Sequence, residues 1–299
     1  MRKWSCICLG ALLLAASLTG CSGGDSIAYG GTTGSGQQTS APLQGVSEGA
    51  SAEEPPAASA ESPAVYMTRD ISPAGLMAVY EALGAELPAG KTAVKISTGE
   101  NGSNYLRPEL IGDLVRAVNG TIVECNTAYG GDRANTDYHM QLAEDHGYTA
   151  IADVDIMDAD GSMTLPVSGG SRITENYVGS HFADYDYYVI LSHFKGHAMA
   201  GFGGAIKNIS IGIASSDGKA HIHSGGTGGN MWSGEQNAFL ESMAEAGKSV
   251  SDYMNGNMLY INVMNRLSVD CDCDGNPAEP DMHDIGSDFS KNLGRKEVF

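Results

Sequence analysis

"TAVKIST" (Thr92–Thr98), "PELIGDLVRAV" (Pro108–Val118) and "GTIVECN" (Gly120–Asn126) follow one another closely, and their order decides the fold. The first and third are rich in β-forming residues. In the second, Leu110, Ile111, Leu114, Val115 and Val118 recur at helical spacing behind a proline suited to a first helical position. Strand, helix, strand predicts a parallel pair joined by a right-handed crossover. The expected class is therefore α/β, with a mainly parallel sheet flanked by helices.

Working outward, Ser72 and Pro73 read as the N-cap and first residue of a short helix carrying Leu76, Val79, Tyr80 and Leu83. "NTDYHMQLAEDHGY" (Asn135–Tyr148) is expected to be helical, "AIADVDI" (Ala150–Ile156) a strand, and "MTLPV" (Met163–Val167) part of a hairpin. "DYYVILSH" (Asp186–His193) is continuously apolar, as a strand buried on both faces should be. Ser233 with Gln236 forms a capping-box pattern ahead of Phe239, Leu240, Met243, Val250, Tyr253 and Met254, and that helix should stop at "NGN". "MLYINVMN" (Met258–Asn265) then supplies a late core strand.

Before this domain lies a processing signal. Arg2 and Lys3, the apolar "LGALLLAASL" and "LTGC" ending at Cys21 follow the bacterial lipoprotein pattern. The organisation expected is a signal peptide over residues 1–20, a lipidated Cys21, a flexible Gly/Ser/Pro/Ala-rich tether over 21–62, and one domain over 63–299. Such a protein is extracytoplasmic and held to the bacterial membrane by lipid. The formal charge of −19, more negative still without Arg2 and Lys3, argues against nucleic acid and against electrostatic adhesion to anionic lipid. Cys6 and Cys8 fall in the signal, so Cys125, Cys271 and Cys273 remain, too few for a disulfide framework.

Beyond the buried strand comes "SHFKGHAMAGFGGAIKN" (Ser192–Asn208). Ligands of open α/β sheets bind past the carboxyl ends of strands, which is where this stretch begins. Gly201, Gly203 and Gly204 let backbone approach a ligand, and Lys195 and Lys207 would complete an anionic site. Its spacing fits neither G-x-x-x-x-G-K-[ST] nor G-x-G-x-x-G. A packed turn with surface histidines is the plainer reading. His221 and His223, added to His193 and His197, favour a metal or cofactor site.

These residues, with "STGENGSNYLRPELIGDLVRAV", "NTAYGG", "CDC" and "DIG", closely resemble the bacterial and archaeal domain of unknown function 362 family, often labelled iron–sulfur centre proteins. Many members carry an inserted ferredoxin module. This chain has no C-x-x-C-x-x-C run, so a four-iron cluster held by its own cysteines is not expected. Members usually continue past "DIG" with another helix, so the resemblance implies a shortened C-terminus. A more distant resemblance is to nickel-pincer lactate racemases. It implies that Lys207 matches a cofactor-tethering lysine, His197 a catalytic acid/base and His223 a metal ligand, whereas Ile206 departs from the usual arginine.

The late stretch "VDCDCDGNPAEPD" has two readings. Asp270, Asp272, Asp274 and Asp281 match the acidic positions of a calcium loop, although Pro277 and Pro280 and a preceding strand do not suit one. Alternatively Cys271 and Cys273 ligate a soft metal such as nickel, iron or zinc, with His193, His221 and His223 as further metal ligands and His283 a candidate. His139, Asp145 and His146 offer a proton shuttle or merely a solvated helix face. Two functions stand open: a metal- or cofactor-dependent protein, redox or isomerase-like, and a non-catalytic lipoprotein that binds a small anion or calcium and presents it to a partner of unspecified identity.

Overall fold

The computed structural model describes residues 64–232 and 234–280 and the strand Gly286–Lys291. The signal, the tether, Cys21, Ser233, Asp281, His283 and the final residues 292–299 lie outside the described residues. The chain runs β1 (Val65–Thr68), α1 (Pro73–Ala82), β2 (Thr92–Lys95), α2 (Pro108–Ala117), β3 (Gly120–Glu124), α3 (Thr136–Asp145) and β4 (Val154–Ile156). It continues through β5 (Ser162–Pro166), β6 (Glu175–Gly179), β7 (Tyr187–His193), β8 (Lys195–His197), β9 (Gly201–Gly203), α4 (Ala205–Lys207) and α5 (Ser216–His223). The last elements are α6 (Gln236–Met254), β10 (Met258–Met264) and β11 (Gly286–Lys291).

One sheet has the order β1-β11-β10-β7-β2-β3-β4. Its five strands β10, β7, β2, β3 and β4 are parallel, and β11 runs antiparallel to both β10 and β1. The expected strand–helix–strand unit is β2, α2 and β3. Side chains alternate along β7: Val189 and Leu191 pack with Leu76, Ile111 and Leu114 on the face covered by α1 and α2, while Tyr188 and Ile190 pack with Ile209 and Val250 on the other. A strand covered on both faces needs apolar residues at every position, which accounts for its unbroken run.

Ser72 Oγ accepts from Gly75 N at 3.1 Å to start α1, and Asn135 caps α3. The start of α6 differs from the expected capping box: Glu235 is the cap, accepting from the backbone of Asn237 and Ala238. Asn255, in the left-handed region at φ 47°, ends that helix inside "NGN" as expected. Only the last three residues of "AIADVDI" form a strand, because Tyr148–Ala150 first makes a 3-10 turn. The described helices include none long and apolar enough to cross a membrane.

From β2 the chain moves outward through β3 to β4, then returns to pair β7 on the opposite edge of β2 and β10 beyond it. The direction of winding therefore reverses between β2 and β7. At such a switch point the loops leaving the two strands part, which opens a crevice at their carboxyl ends.

Candidate functional site

A cavity of about 270 Å³ fills this crevice, lined by Lys95 from the end of β2, Glu124 from β3 and His193 from β7. The Ser192–Asn208 stretch forms one wall as a short hairpin, β8 with β9, rather than a phosphate-binding loop. Gly196 lets this hairpin lie against a later segment: its N–H donates to Ser268 O at 2.8 Å, and a Cβ there would stand 2.2 Å from Val269 O. Gly201 sits at the exposed turn with φ +76° and does not line the cavity, whereas Gly203 and Gly204 do. The helix start expected to face an anion is only α4, and Ala205 N is already bonded to Asn262 Oδ1 at 3.0 Å.

Beneath the hairpin, Asp272 is buried with both carboxylate oxygens engaged. Lys195 Nζ approaches Oδ2 at 2.6 Å, and His193 Nδ1 stands 3.0 Å from each oxygen. Burial alone would raise its pKa, but Lys195 and His193 outweigh burial and hold the carboxyl well below the carboxylate range. Burial opposes the charge on Lys195 too, and Asp272 reverses the direction.

Two expectations are corrected here. His193 is no metal ligand, because Nδ1 is on Asp272 and Nε2 donates to Asn265 O at 2.8 Å. The calcium reading fails at Asp272, whose carboxylate oxygens are taken by Lys195 and His193. Asp270 and Asp274 instead accept from the backbone of Ala278 and Asn276, folding the loop upon itself.

Asp272 is anchored in the interior, and its two neighbours, Cys271 and Cys273, both line the cavity. Their sulfurs stand 2.6 Å apart, and Cys273 N donates to Cys271 Sγ at 3.3 Å. One ligand atom from each of His197, Cys271 and Cys273 lies within 4.8 Å of the others. Contact with Cys273 lowers the Cys271 pKa well below the thiol range, assisted against burial by Lys207, His197 and Lys195. Cys273 moves upward in turn, under the contact and charge of Cys271 and burial. Cys125 stays outside this set, fully buried with its thiol on Ile213 O and its pKa pushed up by burial to about 12.

His197 Nδ1 accepts from Met199 N at 3.2 Å and Ala200 N at 2.9 Å. His223 has the opposite arrangement: Nδ1–H donates to Lys219 O at 2.7 Å, which leaves the Nε2 lone pair for the cavity it lines. Burial lowers its pKa to about 4, so the ring is neutral. It is nonetheless not among the three clustered ligands. His221 is a second correction to the expected ligands: it packs on the Tyr177 ring at 5.2 Å and does not line the cavity. The stretch is helical, and residues two apart on a helix point in different directions.

Lys207 lines the cavity and has no carboxylate partner among the described residues. Opposite the hairpin are residues the sequence reading passed over. Lys95 Nζ, buried, bonds Glu124 Oε1 at 2.6 Å and Asn208 Oδ1 at 3.0 Å. Burial pulls the Glu124 pKa upward, yet Lys95, His139 and Arg133 hold it at about 2. Arg133 Nε donates to Glu100 at 2.7 Å and its terminal nitrogen to Tyr129 Oη at 2.6 Å. Lys219 is buried, donates to the carbonyls of Ala214 and Cys125, and also lines the cavity with no carboxylate partner among the described residues. A charged residue inside an apolar strand, as in "TAVKI", was the available signal. Nor is the α3 histidine pair a solvated face: His139 is fully buried between Thr98 and Asn126, and His146 is buried against Tyr105.

A family profile described as "Domain of unknown function (DUF362)" matches residues 92–292. No curated protein matches the chain. Among solved structures it is similar to the lactate racemase apoprotein from Thermoanaerobacterium thermosaccharolyticum, at 18% identity and TM-score 0.41 over 59% of this chain and 43% of that one. It is also similar to a Thermotoga maritima protein, at 12% identity and TM-score 0.44 over 77% and 57% of the two chains. The match thus spans about half the length of each.

Proposed function

The chain belongs to the domain of unknown function 362 family, and from that premise we propose that it is a metal-dependent extracytoplasmic lipoprotein whose centre lies at the switch-point cavity. The observation that carries this reading is the convergence of His197, Cys271 and Cys273 within 4.8 Å. Two sulfurs and an imidazole suit zinc, nickel or iron better than calcium. Three protein ligands would leave a further position open to the cavity. When bound, such a metal supplies Lewis-acid or redox chemistry there.

The chain's own residues would then act on a ligand. Lys207 and Lys219 lend positive charge for an anionic group, in a protein that is acidic overall. The neutral His223 presents Nε2 as a proton acceptor, and His197 and Lys207 stand at the mouth of the sulfur pair. Anchoring through Cys21 would place this cavity outside the cytoplasm.

Elemental analysis of the full chain, purified without oxygen, tests the reading. Near-stoichiometric zinc, nickel or iron is expected, with loss of metal in Cys271→Ser and Cys273→Ser. Wild-type protein that stays metal-free after loading, or variants that keep the metal, would sink it. Incorporation of labelled fatty acid, lost in Cys21→Ala, tests the anchor.

Lys207 and Lys219, without carboxylate partners among the described residues, favour a second reading, a binding protein for a small anion without turnover. Calorimetric titration with inorganic phosphate tests it: affinity should fall roughly tenfold or more in Lys207→Ala.

A further inference from the structure

The cysteine pair is built for more than holding a metal. Cys271 and Cys273 are free, half-buried and on the cavity wall, with sulfurs in contact at 2.6 Å. One intervening residue separates them, and its side chain is held in place by Lys195 and His193. Two side chains that would otherwise sample separate rotamers are therefore held face to face before any partner arrives. Cys273 N–H points at Cys271 Sγ, which makes Cys271 the sulfur already receiving a hydrogen bond. The remaining thiol among the described residues, Cys125, is buried with its sulfur on Ile213 O and takes no part.

We propose that Cys271 and Cys273 form a dithiol–disulfide exchange site that reacts with low-molecular-weight disulfides reaching the cavity. The thiolate of Cys271 attacks one sulfur of the incoming disulfide. That S–S bond breaks, a mixed disulfide forms, and the other half leaves as a thiolate that takes up a proton. Cys273, losing its proton, then attacks Cys271 Sγ, forms the Cys271–Cys273 bond and expels the second half as a thiol. Two electrons pass from the pair to the incoming disulfide, which takes one proton from Cys273 and one from solvent and is reduced to two thiols. The ring closed across one residue is small and strained, so the product is expected to be labile and the reaction reversible. This activity goes beyond the metal reading and does not require a metal.

The test uses the full chain after chelation, equilibrated in buffers of varied oxidised-to-reduced glutathione ratio, then alkylated and digested with trypsin. The peptide Leu267–Lys291 contains both cysteines and no other. It should pass from doubly alkylated to a form lacking two hydrogens and both labels, at a defined glutathione ratio and reversibly. In Cys273→Ser the same peptide should accumulate a mixed disulfide on Cys271. A peptide that stays doubly alkylated throughout, or one that carries two glutathiones and never the internal bond, would overturn the proposal. Because the protein is metal-free in this experiment, its outcome is separate from that of the elemental analysis.

Discussion

Lys195 Nζ lies 2.6 Å from Asp272 Oδ2, and this buried contact joins the β8 hairpin to the loop that carries both cavity cysteines. Removing one member of a buried pair leaves the other charged and unpaired. Asp272→Asn is therefore expected to cost about 3–5 kcal/mol in denaturant unfolding, and Lys195→Met with Asp272→Leu to recover much of that loss. A neutral single variant would show that the pair is not structural.

Gly196 makes a second, independent tie between the same segments. Gly196→Ala would place a methyl 2.2 Å from Val269 O, so the hairpin and the late loop must separate. The expected cost is about 1–3 kcal/mol, together with reduced metal content. Gly229→Ala, whose added carbon meets only Thr227 Oγ1 at 3.4 Å, should stay within about 0.5 kcal/mol of wild type. Equal effects at both positions would remove the argument from close approach.

Metal uptake should register in two backbone amides. A ring nitrogen needs its lone pair to ligate, and His197 Nδ1 now directs that pair at Met199 N and Ala200 N. Ligation through this ring requires those contacts to loosen, either directly at Nδ1 or by moving the ring proton from Nε2 to Nδ1. Hydrogen exchange at Met199 and Ala200 is expected to quicken when zinc is added. Unchanged protection with metal bound would assign the imidazole no part in ligation.

Acid should weaken the fold in two stages. His139 and His223 resist protonation down to about 3 and about 4, against 6.5 when unfolded, because burial disfavours the charged ring. The folded chain then binds fewer protons than the unfolded one, so stability falls as pH drops below 6.5. Glu124, at about 2 against 4.5, adds a second loss below 4.5. His139→Gln should flatten part of the slope between pH 6.5 and 3. A denaturation midpoint constant from pH 7 to 4 would contradict both histidine assignments.

The central strands were legible because two-sided burial writes itself as unbroken apolar runs, as in "YYVILSH", and the α2 stripe was equally plain. "GSDFSK" has no such run, and its antiparallel pairing with β1 was not anticipated. Within the site, His197, His223, Lys207, Cys271 and Cys273 do face one cavity. Density of histidines misled at His193 and His221, since helix phase and a single buried carboxylate decide where a ring points. Lys95, Glu124, Arg133 and Lys219 went unread because they come from two strand ends, a 3-10 turn and a helix, far apart in sequence, which meet only at the switch point.

The same topology sets an order of construction. A chain emerging from its N-terminus completes β2, β3 and β7, and with them Lys95, Glu124 and His193 of the cavity, long before residue 271 appears. Its sulfur pair can close the remaining wall only after β10 has paired with β7. During synthesis the cysteine-bearing wall is therefore, among the described residues, the last part of the sheet's crevice to form, and the thiols reach their neighbours already facing a finished half-site.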